Sequence, residues 1–92
     1  MDTAQDRFKR LLGATTPRLK DYWDWERGAC HVEALCDDMG TWSHGERIMA
    51  QFALAVWQGR NDLGFDLIEA ARTLNEQDRA VIEEWLAEPF WP

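Results

Sequence analysis

Ser43-His44-Gly45-Glu46-Arg47-Ile48-Met49-Ala50-Gln51-Phe52-Ala53-Leu54-Ala55-Val56-Trp57-Gln58-Gly59 is the stretch that decides the fold. It opens as Ser-x-x-Glu, the form of a capping box. The Ser43 hydroxyl can accept from the amide of Glu46, and the Glu46 carboxylate can reach back to the amide of Ser43. From Ile48 to Trp57 the residues are apolar almost all round, with one narrow polar stripe through Arg47, Gln51 and Gln58. A helix of that composition has to be covered by neighbours on most sides, so residues 44–58 are expected to form the central helix. Gly59 suits the residue just past its end.

Downstream, Asn61-Asp62-Leu63-Gly64 reads as a loop. Phe65 to Leu74 then gives a short helix with Leu67, Ile68, Ala71 and Leu74 on its inward face. Asn75 caps a last helix that runs to about Ala87, with Val81, Ile82, Trp85 and Leu86 turned inward and Pro89 as its stop. Upstream, Val32, Leu35, Cys36 and Met39 recur at helical spacing within residues 29–39, closed by Gly40. Thr16-Pro17 is an N-cap followed by a proline at the first helical position. The helix it predicts carries Leu19, Tyr22, Trp23 and Glu26 and ends by Gly28. Phe8, Leu11 and Leu12 mark one more short amphipathic helix that ends near Gly13. No alternating β-branched run is present. The expectation is a single all-α domain over 1–92, with five or six short helices packed around residues 44–58.

The chain has 92 residues and a net charge of −7. That charge is uneven. Residues 1–20 hold five basic and two acidic side chains, whereas residues 21–92 hold five basic and fifteen acidic ones. Phosphate repels so acidic a body, which argues against direct binding of duplex nucleic acid and toward a basic or nucleic-acid-binding protein as partner. The opening Met1-Asp2-Thr3-Ala4-Gln5-Asp6 is polar and acidic, unlike a signal peptide. No apolar run approaches the ~20 residues of a membrane span. The chain therefore reads as cytoplasmic, with Cys30 and Cys36 reduced.

Residues able to do chemistry are present but poorly arranged. Cys30, His31, Cys36 and His44, with Asp37 and Asp38, include every ligand type used for zinc, yet the close pairs that zinc sites use are missing. On one helix Cys30 and Cys36 would point about 240° apart. Nothing marks either thiol as an activated nucleophile, and no phosphate loop, dinucleotide fingerprint or His-Glu zinc motif occurs. No metal, cofactor or catalytic residue is assigned, and the chain is expected not to be an enzyme.

The six tryptophans are the more informative signal. Trp57 and Trp85 fall on apolar helix stripes and are assigned to the core. Trp42, just before the Ser43 cap, is placed as a staple against the first turn. Trp91, in Pro89-Phe90-Trp91-Pro92, is read as part of a lid folded back on the core. Asp21-Tyr22-Trp23-Asp24-Trp25-Glu26 sets three aromatics among three acids. On a helix Trp23 and Trp25 would point about 200° apart, so one packed face could not take both. Either they bridge two helix layers, or at least one is exposed and meets a partner's Arg and Lys through cation–π and ionic contacts. Asp21, Tyr22, Trp23, Asp24, Trp25 and Glu26 are taken as the partner-binding residues.

From Ser43 onward, the run Ser43-His44-Gly45-Glu46-Arg47 stands with Phe52, Trp57, Phe65-Asp66-Leu67, Glu69-Ala70-Ala71, Asp78-Arg79, Trp85 and the closing Pro89-Phe90-Trp91-Pro92. This pattern resembles a group of small uncharacterised proteins of bacterial mobile elements. The resemblance brings no assigned chemistry and does not extend to the first 42 residues. In style alone (short, acidic, motif-poor) the chain is similar to phage-encoded inhibitors such as anti-CRISPR proteins. Residues and resemblance together point to a non-catalytic protein-binding module, an accessory or inhibitor protein that blocks a basic nucleic-acid-binding partner. The alternative is a structural or regulatory helical protein that self-associates as a homodimer through exposed aromatics, its charge serving only solubility.

Overall fold

The computed structural model describes residues 3–92; Met1 and Asp2, part of the polar opening read above, lie outside them. At its centre, helix α3 covers His44–Gln58. The capping box forms: Ser43 Oγ accepts from the Glu46 amide at 3.3 Å, and Glu46 Oε1 accepts from the Ser43 amide at 3.2 Å. The other carboxylate oxygen of Glu46 accepts from the Thr16 hydroxyl at 3.0 Å and faces Arg18 Nε at 3.5 Å. One side chain thus starts α3 and fastens it to the segment before it. Ile48, Met49, Ala50, Phe52, Ala53, Leu54 and Val56 are buried, as the almost continuous apolar run requires. Gly59 ends the helix at φ 71°, a conformation that penalises a side chain.

The other elements wrap this helix. Helix α1, Ala4–Gly13, starts with a second capping box, between Thr3 and Asp6, and buries Phe8, Leu11 and Leu12. A 3₁₀ helix, Pro17–Tyr22, follows and buries Leu19. Two short antiparallel strands come next, β1 (Trp23–Asp24) and β2 (Ala29–Cys30), with Trp23 opposite Cys30 and Asp24 opposite Ala29. Helix α2 is Val32–Met39, α4 is Leu67–Thr73 and α5 is Glu76–Ala87. The all-α expectation holds, with six helices among the described residues and one small hairpin added. None of these helices is long and apolar enough to cross a membrane.

Contacts at three places close the bundle. The Thr15 hydroxyl, on a buried residue, donates to Asp78 in the first turn of α5 at 2.9 Å, and Gln77 donates to the Ala14 carbonyl at 3.0 Å. His44 faces Glu69, which ties the start of α3 to α4. Arg7 donates to the Glu88 carbonyl at 3.2 Å and lies over the Phe90 ring, fixing the tail across α1.

Three expectations need correction. Leu86, expected to turn inward with Val81, Ile82 and Trp85, is half-exposed one residue before the end of α5. The helix predicted over residues 16–28 does not form. Thr16 makes no cap bond, its hydroxyl instead donating to Glu46 on α3; the backbone coils as 3₁₀ only to Tyr22 and then extends. The inward face predicted for the helix after Phe65 is also wrong. That helix starts at Leu67, with Asp66 as its cap accepting from Ile68 and Glu69. The start places Ala70 and Leu74 inward and leaves Leu67, Ile68 and Ala71 exposed.

Candidate functional site

In the acidic-aromatic segment, the backbone decides where each ring goes. Trp23 lies in β1 and Trp25 in the turn that follows, and the two rings stack nearly parallel, 6.3 Å between centroids at 14°. Both rings pack on Phe8 of α1 and Trp57 of α3, at 5.3 and 5.9 Å for Trp23 and 6.2 Å to each for Trp25. Trp23 is only 6% exposed, so it is a core residue and not a surface anchor. Trp25 is half-buried, with Lys9 Nζ 5.0 Å above its ring.

The acids of this segment divide as well. Asp24 shapes the turn: it accepts from the Arg27 amide at 3.2 Å and faces Arg27 Nε at 3.5 Å. Gly28 completes the turn at φ 61°. Asp21 and Glu26 remain exposed. The Tyr22 hydroxyl donates to Asp38 on α2, and that hydrogen bond raises its pKa above the usual phenol value. Tyr22 also packs against the buried Trp42 ring at 5.9 Å, and the Arg18 guanidinium lies over the same ring, 5.1 Å from its centroid. Trp42 is buried as expected, but its ring contacts are Tyr22 and Arg18.

The thiols carry no sign of activation. Cys30 and Cys36 are free and half-buried, and burial, helped by the neighbouring Cys36, pushes the Cys30 thiol up to about 12. A thiol held that high stays protonated near neutrality and is a poor nucleophile or metal ligand. Among the described residues no group of three or more His, Cys, Asp or Glu side chains is gathered as a metal site would need.

A different surface stands out. Leu67 is 50% exposed, Ile68 67%, Leu86 51% and Trp91 60%. Leu67, Leu86 and Trp91 border two adjoining apolar depressions, and Ile68 lies beside Leu67 outside their lining. The first, of about 260 Å³, lies between the C-terminal half of α3, α5 and the tail, and is floored by Phe52, Val56, Ile82 and Trp85. The second, of about 110 Å³, lies between α4 and α5 over Ala70 and Ala71. Leu67, Ile82 and Leu86 line both, so they form one groove. A larger cleft of about 740 Å³ between α1 and α5 mixes apolar side chains such as Leu11, Val81 and Phe90 with the charged Arg7, Arg10, Glu84 and Glu88.

Sequence reading missed the groove because helical spacing alone cannot say which of two apolar stripes a short helix turns inward. The Leu67-Ile68 pair beside the Asp66 cap was the available signal: the cap fixes the phase of the helix. The lid expectation for the tail holds for Phe90, whose carbonyl accepts from Trp85 Nε1 at 3.0 Å. Trp91 makes an edge contact with Trp85 at 5.2 Å and otherwise faces outward. Comparison with known proteins gave no match: no family model, no curated protein and no solved structure resembles the chain closely enough to lend it a function.

Proposed function

We propose that this chain is a non-catalytic protein-binding module, an accessory or inhibitor protein of the kind mobile elements and phages carry, working in the cytoplasm by covering a partner's surface. The observation that carries this reading is the apolar groove bordered by Leu67, Leu86 and Trp91. Scattered apolar residues on a surface need no explanation, but a continuous apolar groove rimmed by charge marks an interaction site. A ring half-exposed beside a concave apolar floor is also the usual form of an interface anchor, which fits Trp91.

A second contact is supported by the half-buried Trp25 with exposed Asp21 and Glu26 nearby in sequence. Such a surface would suit Arg or Lys of a basic partner protein, and would repel duplex nucleic acid. On this reading Tyr22 and Asp24 hold the surface in shape and Trp23 anchors it from within.

The test is capture of cross-linked partners by the purified full chain, compared between two variants that keep the fold by circular dichroism. In the first, Leu67→Glu and Leu86→Glu charge the groove. In the second, Asp21, Trp25 and Glu26 are all changed to Ala. Loss of the captured protein in the first variant supports docking at the groove. Loss in the second alone moves the site to the acidic face. Capture unchanged in both sinks the binding reading.

A further inference from the structure

We infer that residues 88–92 form a strap across the docking face. Arg7 and Trp85 latch it down, and a partner docks with the strap lifted. The inference rests on the reading of the apolar groove as a protein-docking face and adds how that face opens.

The first argument is position. The strap is a wall shared by neighbouring depressions. Glu88 and Phe90 line the cleft between α1 and α5, and Trp91 borders the apolar groove. Trp91 and Pro92 also line a hollow of about 380 Å³ over the last turn of α3, beside Trp57 and Gln58. Val56 and Gly59 line both the groove and that hollow. Lifting the strap therefore joins the two into one longer groove. The same motion uncovers Trp85 and releases its Nε1–H, now spent on the Phe90 carbonyl. An apolar floor then gains one hydrogen-bond donor, the kind of polar group that orients whatever binds an apolar site.

The second argument is how little holds the strap. Trp85 Nε1 donates to the Phe90 carbonyl at 3.0 Å, and Arg7 donates to the Glu88 carbonyl at 3.2 Å. The Arg7 guanidinium lies 4.4 Å from the centroid of the Phe90 ring. Its pairing with the exposed Glu88 carboxylate is long, 3.8 Å, and adds little. Pro89 and Pro92 have no amide to donate, and among the described residues the amides of Phe90 and Trp91 donate to nothing. Trp91 meets the Trp85 ring edge-on and is otherwise exposed. Against these contacts stands the entropy lost by fixing the segment. A segment held so sparingly opens well below global unfolding. Arg7 grips it both at Glu88 and at Phe90, which makes that side chain the latch. A partner that takes only the open form binds more weakly by the fraction of time the strap is open, so loosening the latch tightens docking.

The experiment is hydrogen exchange by NMR on the full chain, with Nile red, a neutral apolar dye, as the probe of the groove. The Trp85 indole N–H is expected to exchange faster than the amides of buried α3 residues such as Leu54. Arg7→Met and Phe90→Ala should each speed that exchange, and tighten dye binding, about threefold or more, with the α3 amides unchanged. A Trp85 indole that exchanges only at the pace of the α3 amides overturns the inference. So does exchange unmoved by both changes, or dye affinity that stays level or falls while exchange quickens. Equal speeding of the α3 amides in both variants also overturns it, because the tail would then belong to the core. Partner capture that survives Leu67→Glu with Leu86→Glu overturns the docking-face reading instead, whatever the exchange rates show.

Discussion

Glu46 does four jobs with one carboxylate. It returns the cap of α3, accepts from Thr16, faces Arg18 and lies where the first turn welcomes negative charge. The backbone and side-chain hydrogen bonds from Ser43 and Thr16 hold its pKa below the usual glutamate value. A group whose pKa is lowered on folding stabilises the protein above its unfolded value, about 4.3, and that stability is lost as pH falls through the folded value. Glu46→Gln is therefore expected to be less stable than wild type near neutrality, with the difference closing in acid. Urea unfolding across pH checks this, and a gap that widens in acid would contradict it. Ser43→Ala is expected to cost about 1 kcal/mol at neutral pH by the same measurement.

The two tryptophans of the acidic segment should separate under substitution. Trp23 is buried in ring contact with Phe8, Trp25 and Trp57, so Trp23→Ala is expected to cost about 3–5 kcal/mol, a large part of the stability of any small domain. Trp25 keeps one side toward water and Lys9, and Trp25→Ala should cost visibly less. Equal losses in chemical unfolding would overturn the assignment of Trp23 to the core.

The elements legible in the sequence were those whose ends were marked by side chains. Ser43, Asn75 and Pro89 fixed α3 and α5, and the apolar run 48–57 fixed α3 as the centre. The hairpin was not legible because its strands are two residues long, too short for any alternation to register. Its determinant is a turn: Asp24 bound to the Arg27 amide and Gly28 at positive φ. Thr16-Pro17 is a sound helix start, but the hydroxyl donates to Glu46 instead, a contact between residues 30 apart that no local pattern reveals. The same lack of long-range information hid the candidate site. Whether Leu67 and Ile68 face inward depends on what covers them, and the bundle covers Ala70 and Leu74 instead, Leu74 lying against Gly45 of α3. At Gly28 an added Cβ would meet nothing closer than Gln5 Nε2 at 3.7 Å. Gly28→Ala is thus expected to cost only the backbone strain, about 1–2 kcal/mol, read by thermal or urea unfolding; a neutral result would mean that the turn has another conformation.

At the scale of the whole molecule, one aromatic cluster joins α1, the hairpin and α3, and a second joins α3, α5 and the tail through Phe52, Phe65, Trp85 and Trp91. Between them runs the polar tie from Thr15 to Asp78. Thr15→Val keeps the shape and removes the tie. It is expected to cost about 1 kcal/mol, measured as a lower urea midpoint. The groove opens beside the second cluster, so charging Leu86 should leave the first untouched and change stability by no more than about 0.5 kcal/mol. A large loss would place Leu86 in the core.

The stacked Trp23 and Trp25 rings have a further consequence, one for optics. Two indoles held close and nearly parallel couple their electronic transitions, and Trp57 lies edge-on to both. The folded chain should therefore give an exciton couplet in its circular dichroism that an unfolded hairpin lacks. Trp85 and Trp91 form a second indole pair, so the part of the couplet lost in Trp25→Phe is the part that reports on the hairpin, and following it beside the helical bands would register opening of the hairpin apart from melting of the bundle.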